Sequence, residues 1–154
     1  MINKIGTYLK DIETPELIID LDILESNVNT VSKAYKNSHL KMRAHTKNLK
    51  SPYLARKQIE AGGSNGGICT AKVSEAEVMV EGGFNNILIA NQVVSDDKIE
   101  RLCSLAKFAD MKVGIDNIDN LNNLSKFAIK HNVVLGVLVE INTSMFRCGV
   151  RSSE

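Results

Sequence analysis

The tract MRAHTKNLKSP, residues 42–52, places Arg43, His45, Lys47 and Lys50 within eleven residues, directly ahead of a helix start. In an extended strand side chains alternate, so Arg43, His45 and Lys47 share one face while Met42, Ala44 and Thr46 share the other. Cationic or potentially cationic neighbours, with partial desolvation, favour the neutral form of a lysine. A neutral amine is a nucleophile toward a carbonyl carbon. The competing reading is that Lys47 and Lys50 are solvated loop lysines flanking the helix, as most lysines are. Lys72 holds the same place after the next strand, but its same-face neighbours Ile68 and Thr70 carry no charge, so nothing on that strand would tune its amine. Arg147 is the further loop cation to be weighed.

Cys69, Cys103 and Cys148 lie far apart and are odd in number, which fits reduced thiols packed as small hydrophobes better than a disulfide framework. His39, His45 and His131 are the only histidines, and no Cys-x-x-Cys or His-x-x-x-His spacing occurs, so a zinc site built from this chain is not expected. The 154 residues are 44% apolar and 24% charged, with a net charge of +1. That composition suits one soluble domain with a core and lacks the charged face that nucleic acid or an anionic membrane would require. A small-molecule partner is expected instead. The opening MINKIGTYLKDIE is interrupted by Lys4, Lys10, Asp11 and Glu13, leaving no apolar core for a signal peptide. The longest apolar stretch, VVLGVLV at 133–139, is too short to span a bilayer. A cytoplasmic protein is the expectation.

These side chains need elements to hold them. Apolar runs at 17–22 (LIIDLD), 41–46 (KMRAHT), 66–72 (GGICTAK), 86–92 (NILIANQ), 112–117 (KVGIDN) and 134–141 (VLGVLVEI) read as strands buried on both faces. Leu24, Val28, Val31 and Tyr35 recur at helical spacing between the first two. Ser51 followed by Pro52 predicts an N-cap with proline at the first helical position, SEAE at 74–77 predicts a capping box, and Ser95 with Asp96 and Asp97 opens another helix. IEAGGSNGGICTA and MVEGGFNNILIA repeat one order: helix, Gly-Gly, polar turn, strand. The glycine pairs at 62–63 and 66–67 therefore read as caps, not as a phosphate cradle. The repeating unit implies an α/β fold with parallel strands and right-handed crossovers, either an open doubly wound sheet or a (β/α)8 barrel. Periodicity does not choose between them. In both, chemistry sits in loops after the C-terminal strand ends, here TKNLKSP, AKVSEAE, NQVVSDD, DNIDN and NTSMFRCGV.

TPELIIDLDILESNV, RAHTKNLKSP, GICTAKVSEAE, NILIANQVV and VLVEINTSMFRCGV, in that order and spacing over residues 14–150, resemble the D-threonine aldolase and D-serine dehydratase family, fold-type III pyridoxal-phosphate enzymes related to alanine racemase. The resemblance implies a (β/α)8 barrel of the alanine racemase N-terminal type, with residues 1–22 contributing a strand to an accessory β-domain and residues 23–154 forming the first part of the cofactor-binding barrel. Lys47 then matches the lysine that carries pyridoxal 5'-phosphate as a Schiff base. Arg147 matches the arginine that donates to the cofactor's phenolic oxygen, and Arg43 and His45 match residues around the lysine. Aldolase members cleave β-hydroxy-D-amino acids to glycine and an aldehyde, and dehydratase members eliminate the hydroxyl. A racemase, a non-catalytic cofactor carrier and an inactive remnant of the fold are the other readings. Leu49, Ala44, Ala71, Asn142 and Ser144 replace the family's common histidine, proline, glutamine, aspartate and glycine, leaving the substrate open. Five barrel strands are legible where a complete barrel has eight in typically about 250 residues. The resemblance places the cofactor phosphate site and the divalent-metal ligands in later strands and implies a homodimer for a complete enzyme. On that reading the chain is an N-terminal part, and by itself it is expected to be inactive and to bind cofactor poorly.

Overall fold

A computed structural model describes residues 5–151. Residues 1–4 of the charged N-terminal tract and residues 152–154 of the closing RSSE lie outside the described residues. Helix α1 (Leu21–Lys36) starts where the Asp20 carboxylate accepts the Ile23 amide at 3.0 Å, the usual satisfaction of an orphan first-turn donor. Its stripe of Leu24, Val28 and Val31 is half-buried, as the helical spacing requires.

The run at 17–22 departs from expectation. No strand forms there: the chain runs unpaired up to Asp20, and Leu21 and Asp22 already belong to α1. A strand needs a hydrogen-bonding neighbour, and among the described residues none flanks this run, which leaves Leu17 95% exposed.

Five strands follow, each separated from the next by a helix: β1 (Met42–His45), α2 (Pro52–Glu60), β2 (Ser64–Thr70), α3 (Val73–Glu81), β3 (Asn86–Ile89), α4 (Asp96–Leu105), β4 (Asp110–Ile115), α5 (Ile118–His131) and β5 (Gly136–Val139). All pairs are parallel, and the strand order is β1-β2-β3-β4-β5. Each strand pairs with its successor and the order never reverses. A doubly wound sheet requires a switch point, so the architecture is an arc of a (β/α) barrel.

Helix starts follow the chemistry of their caps. Ser51 caps α2, accepting the Leu54 amide at 3.5 Å with Pro52 at the first position, and Ser95 opens α4. The capping box is displaced by two residues. Helix α3 begins at Val73 with Lys72 as its cap residue, and Glu75, not Glu77, reaches back to the Ala71 amide at 2.8 Å. The second glycine pair is not a helix cap but lies in the run 66–72 that reads as a strand. Gly62 and Gly63 close α2, but Gly66 and Gly67 lie inside β2. At Gly67 the Arg43 guanidinium crosses the strand in the space a Cβ would take, so a side chain there would displace that guanidinium.

The core lies between sheet and helices. Ala44, Ile68, Ile87, Ile89, Met111 and Val113 point outward from the strands and pack with Ala55, Ala76, Met79, Ile99, Leu102, Cys103 and Leu124. In β3 burial is one-sided, contrary to the two-faced burial expected: the inward-facing Leu88 is half-buried while Ile87 and Ile89 on either side are 0% exposed. No helix among the described residues is long and apolar enough to cross a membrane.

Candidate active site

The parallel strands all end on one rim, and Lys47 follows directly from β1 there. The strand alternation holds, with Ala44 and Thr46 buried against the helices and Arg43 and His45 on the inward face. His45 Nδ1 accepts the Lys47 amide at 3.3 Å, tying the imidazole to the backbone that carries the lysine. Burial and then the charge of Lys47 push His45 below its ordinary value, against Glu75 and a backbone hydrogen bond with Cys69. The imidazole is therefore neutral at pH 7.

The rim lysines are not equivalent. Lys50 takes a left-handed conformation, φ 49°, and its ammonium pairs with Glu75 at 3.1 Å. The Lys47 side chain makes no hydrogen bond or ion pair among the described residues and lines a hollow of about 470 Å3 with His45, Leu24, Val28 and Leu54. Burial would raise the Glu75 carboxyl, but the Ala71 amide and then Lys50 hold it below the usual carboxylate range.

Arg43 is placed away from the rim. Its guanidinium donates to Asn86 Oδ1 at 3.0 Å and to the Ile68 carbonyl at 3.3 Å, bracing β1 to β2 and β3. It sits two residues before His45, about 7 Å down the strand. Lys112 also reaches Asn86 Oδ1, at 3.4 Å, and pairs with Asp110. Arg43 thus shares the inward face of β1 with His45 but not its level: it belongs to a polar floor at the opposite end of the sheet.

Arg147 lies exposed on the loop after β5, whose ends are joined by a bridge between Ile141 and Val150. β1 and β5 are the outer strands, four spacings or about 19 Å apart along the sheet. Arg147 and Lys47 face the same rim without touching. Two carboxylates at strand ends hold the loop. Glu140 accepts from the Cys148 thiol at 2.9 Å and the Gln92 amide at 2.7 Å, and Asp116 accepts the Gly149 amide at 2.9 Å. Sequence reasoning missed these acids. The available signal was a carboxylate closing an apolar strand, as in VGID and VLVE.

Gly149 has φ 97°, and a Cβ on it would sit 2.7 Å from the Asn142 amide nitrogen and 2.9 Å from the Ile141 carbonyl carbon, both backbone atoms. Gly149→Ala should therefore displace the loop, costing about 1–3 kcal/mol in local strain. Denaturant unfolding reads this, and an unchanged midpoint would mean that the loop absorbs the added Cβ without strain.

All three cysteines are free. Cys103 is a buried core residue, whereas Cys69 lines the inward face beside Arg43, and burial pushes its thiol up against the pull of that arginine. Among the described residues no group of three or more His, Cys, Asp or Glu is arranged to hold a metal ion.

Known proteins resemble this chain over nearly its whole length. It is 41% identical over 150 residues to the 3-hydroxy-D-aspartate aldolase of Paracoccus denitrificans (strain Pd 1222), covering 97% of this chain and 38% of that protein. The crystal structure of D-threonine aldolase from Filomicrobium marinum superposes with a TM-score of 0.87 at 43% identity, covering 93% of this chain and 38% of that one. The D-threo-3-hydroxyaspartate dehydratase from Delftia sp. HT23 gives a TM-score of 0.79 at 28% identity, covering 90% of this chain and 36% of that one. The chain thus spans about 38% of the length of the curated relatives it matches. The family described as alanine racemase, N-terminal domain, matches residues 19–154. With strands in sequence order and a lysine at the end of the first, this chain belongs to the alanine racemase N-terminal domain family.

Proposed function

We propose that this chain is the cofactor-attaching part of a pyridoxal-phosphate-dependent lyase that cleaves β-hydroxy-D-amino acids to glycine and an aldehyde. The observation that carries the reading is the uncommitted Lys47 amine at the C-terminal end of β1, beside a Lys50 that is already paired. Such an amine fits a cofactor that presents an aldehyde, and an exposed arginine on the same rim fits the anionic oxygen of its ring. When bound, pyridoxal phosphate supplies an electron sink for breaking a bond at the substrate α-carbon.

The chain's own residues then divide the work. Lys47 Nζ is the point of attachment, and His45, neutral and bonded to the Lys47 amide, orients the backbone from which that amine projects. Arg147 would donate to the ring oxygen of the bound cofactor, from the loop that Glu140 and Asp116 hold. Arg43 fixes the spacing of the first three strands beneath the site. The segment ahead of α1 contributes to an accessory β-domain, and the exposed Leu17 fits that role. A divalent metal held elsewhere, a homodimer and a cytoplasmic setting complete the proposal; the three free cysteines suit a reducing compartment.

Aldol cleavage is favoured over elimination because the more similar relatives bear aldolase names, at 41% and 43% identity against 28% for the dehydratase. Product analysis decides. The complete lyase of which this chain is proposed to be a part, supplied with pyridoxal phosphate and a divalent cation, should turn D-threonine or a D-3-hydroxy acid into glycine and an aldehyde. A keto acid with ammonia from the same substrates, or from D-serine, would move it to the dehydratases.

A further inference from the structure

We propose that Glu75 is a positioning residue that reserves carbonyl capture for Lys47 by occupying Lys50; the inference rests on Lys47 being the attachment point. Lys47, Lys50 and Lys72 all lie at the C-terminal ends of the first two strands. An aldehyde entering the rim meets three primary amines of the same intrinsic chemistry, so something must separate them.

Backbone geometry begins the separation. The Lys50 amide bonds the Thr46 carbonyl at 2.7 Å, and its left-handed φ of 49° turns the side chain toward the α3 side of the rim. There Lys50 lines a groove with Thr46, Ser74, Val78 and Met79, while Lys47 opens onto the different hollow bounded by His45 and α1. Glu75 completes it. One carboxylate oxygen takes the Lys50 ammonium at 3.1 Å and the other takes the Ala71 amide at 2.8 Å, one residue before Lys72. A single side chain therefore ties the loop after β1 to the loop after β2. The Glu75 side chain is only 14% exposed, so its end of the pair is shielded from water, although Lys50 itself is 64% exposed. Lys47 has no such partner among the described residues.

A purely structural Glu75 would only cap the start of α3. The two roles separate in a measurement of which lysine reacts. Treat the protein with excess pyridoxal phosphate, reduce with borohydride, and map the pyridoxyl peptides in wild type and Glu75→Gln. The glutamine can still accept the Ala71 amide but carries no charge. Wild type should carry more label on Lys47 than on Lys50. In Glu75→Gln the Lys50 to Lys47 ratio should rise about threefold, the size expected for a partly exposed ion pair, with far-UV circular dichroism unchanged. Wild type labelled in low salt and in 1 M sodium chloride provides the same reading without any substitution, because screening loosens the pair and should raise the Lys50 share. An unchanged ratio in both comparisons overturns the role of Glu75. Label favouring Lys50 or Lys72 in wild type overturns the attachment point itself, whatever Glu75 does.

Discussion

In the complete lyase proposed above, Lys47→Ala should abolish covalent attachment of pyridoxal phosphate and lower turnover by about a thousandfold or more, because a positioned amine is worth far more than one in solution. The residue sits at the end of β1 with its amide held by His45, and its amine has no competing partner among the described residues. Lys50→Ala and Lys72→Ala should keep the cofactor attached. Lys50 is paired with Glu75, and Lys72 serves as the cap residue of α3. Lys47→Arg separates charge from chemistry, since a guanidinium keeps the positive charge but is not a nucleophile at neutral pH. The measurement is cofactor absorbance after dialysis, beside borohydride mapping of the wild type. Attachment that survives in Lys47→Ala would sink the assignment.

Ile87→Ala should cost about 2–5 kcal/mol of stability, the range for emptying a fully buried aliphatic site. Ile87 is 0% exposed in β3, a central strand, in register with Ile68 of β2 and Met111 of β4, which are equally buried. The cavity would thus open on the outward face, where sheet and helices pack. Its neighbour Leu88 points to the inward face and is half-buried. Leu88→Ala should therefore cost less, since fewer packed atoms surround it. Denaturant unfolding of both variants at constant m-value compares them. Equal losses would mean that the inward face is packed as tightly as the outward one.

The elements of this chain were legible in its sequence wherever the signal is local. Ser51 with Pro52, Ser95, and the α1 stripe each act within one turn of helix, and each appears where its spacing puts it. The alternation of Arg43 and His45 against Ala44 and Thr46 is likewise a property of any extended strand. Errors arose where a distant partner decides. The apolar run at 17–22 has the composition of a strand but no neighbour to pair with among the described residues, so Asp20 turns its end into a helix start. Gly66 and Gly67 read as caps from their place in the repeat, yet they lie inside β2, where the guanidinium of Arg43, more than twenty residues earlier, crosses Gly67.

For the site, the sequence by itself determined that cations crowd the end of one strand and that one arginine lies on a loop of the same rim. Only the tertiary structure ordered the strands without a reversal, which distinguishes a barrel arc from a doubly wound sheet. It also sent Arg43 to the floor, gave Lys50 to Glu75, and set Glu140 and Asp116 under the Arg147 loop. The physical reason is range. Helix caps and strand alternation are fixed by bonds within a few residues, whereas strand order and the pairing of a lysine depend on contacts that form only when separate βα units pack side by side.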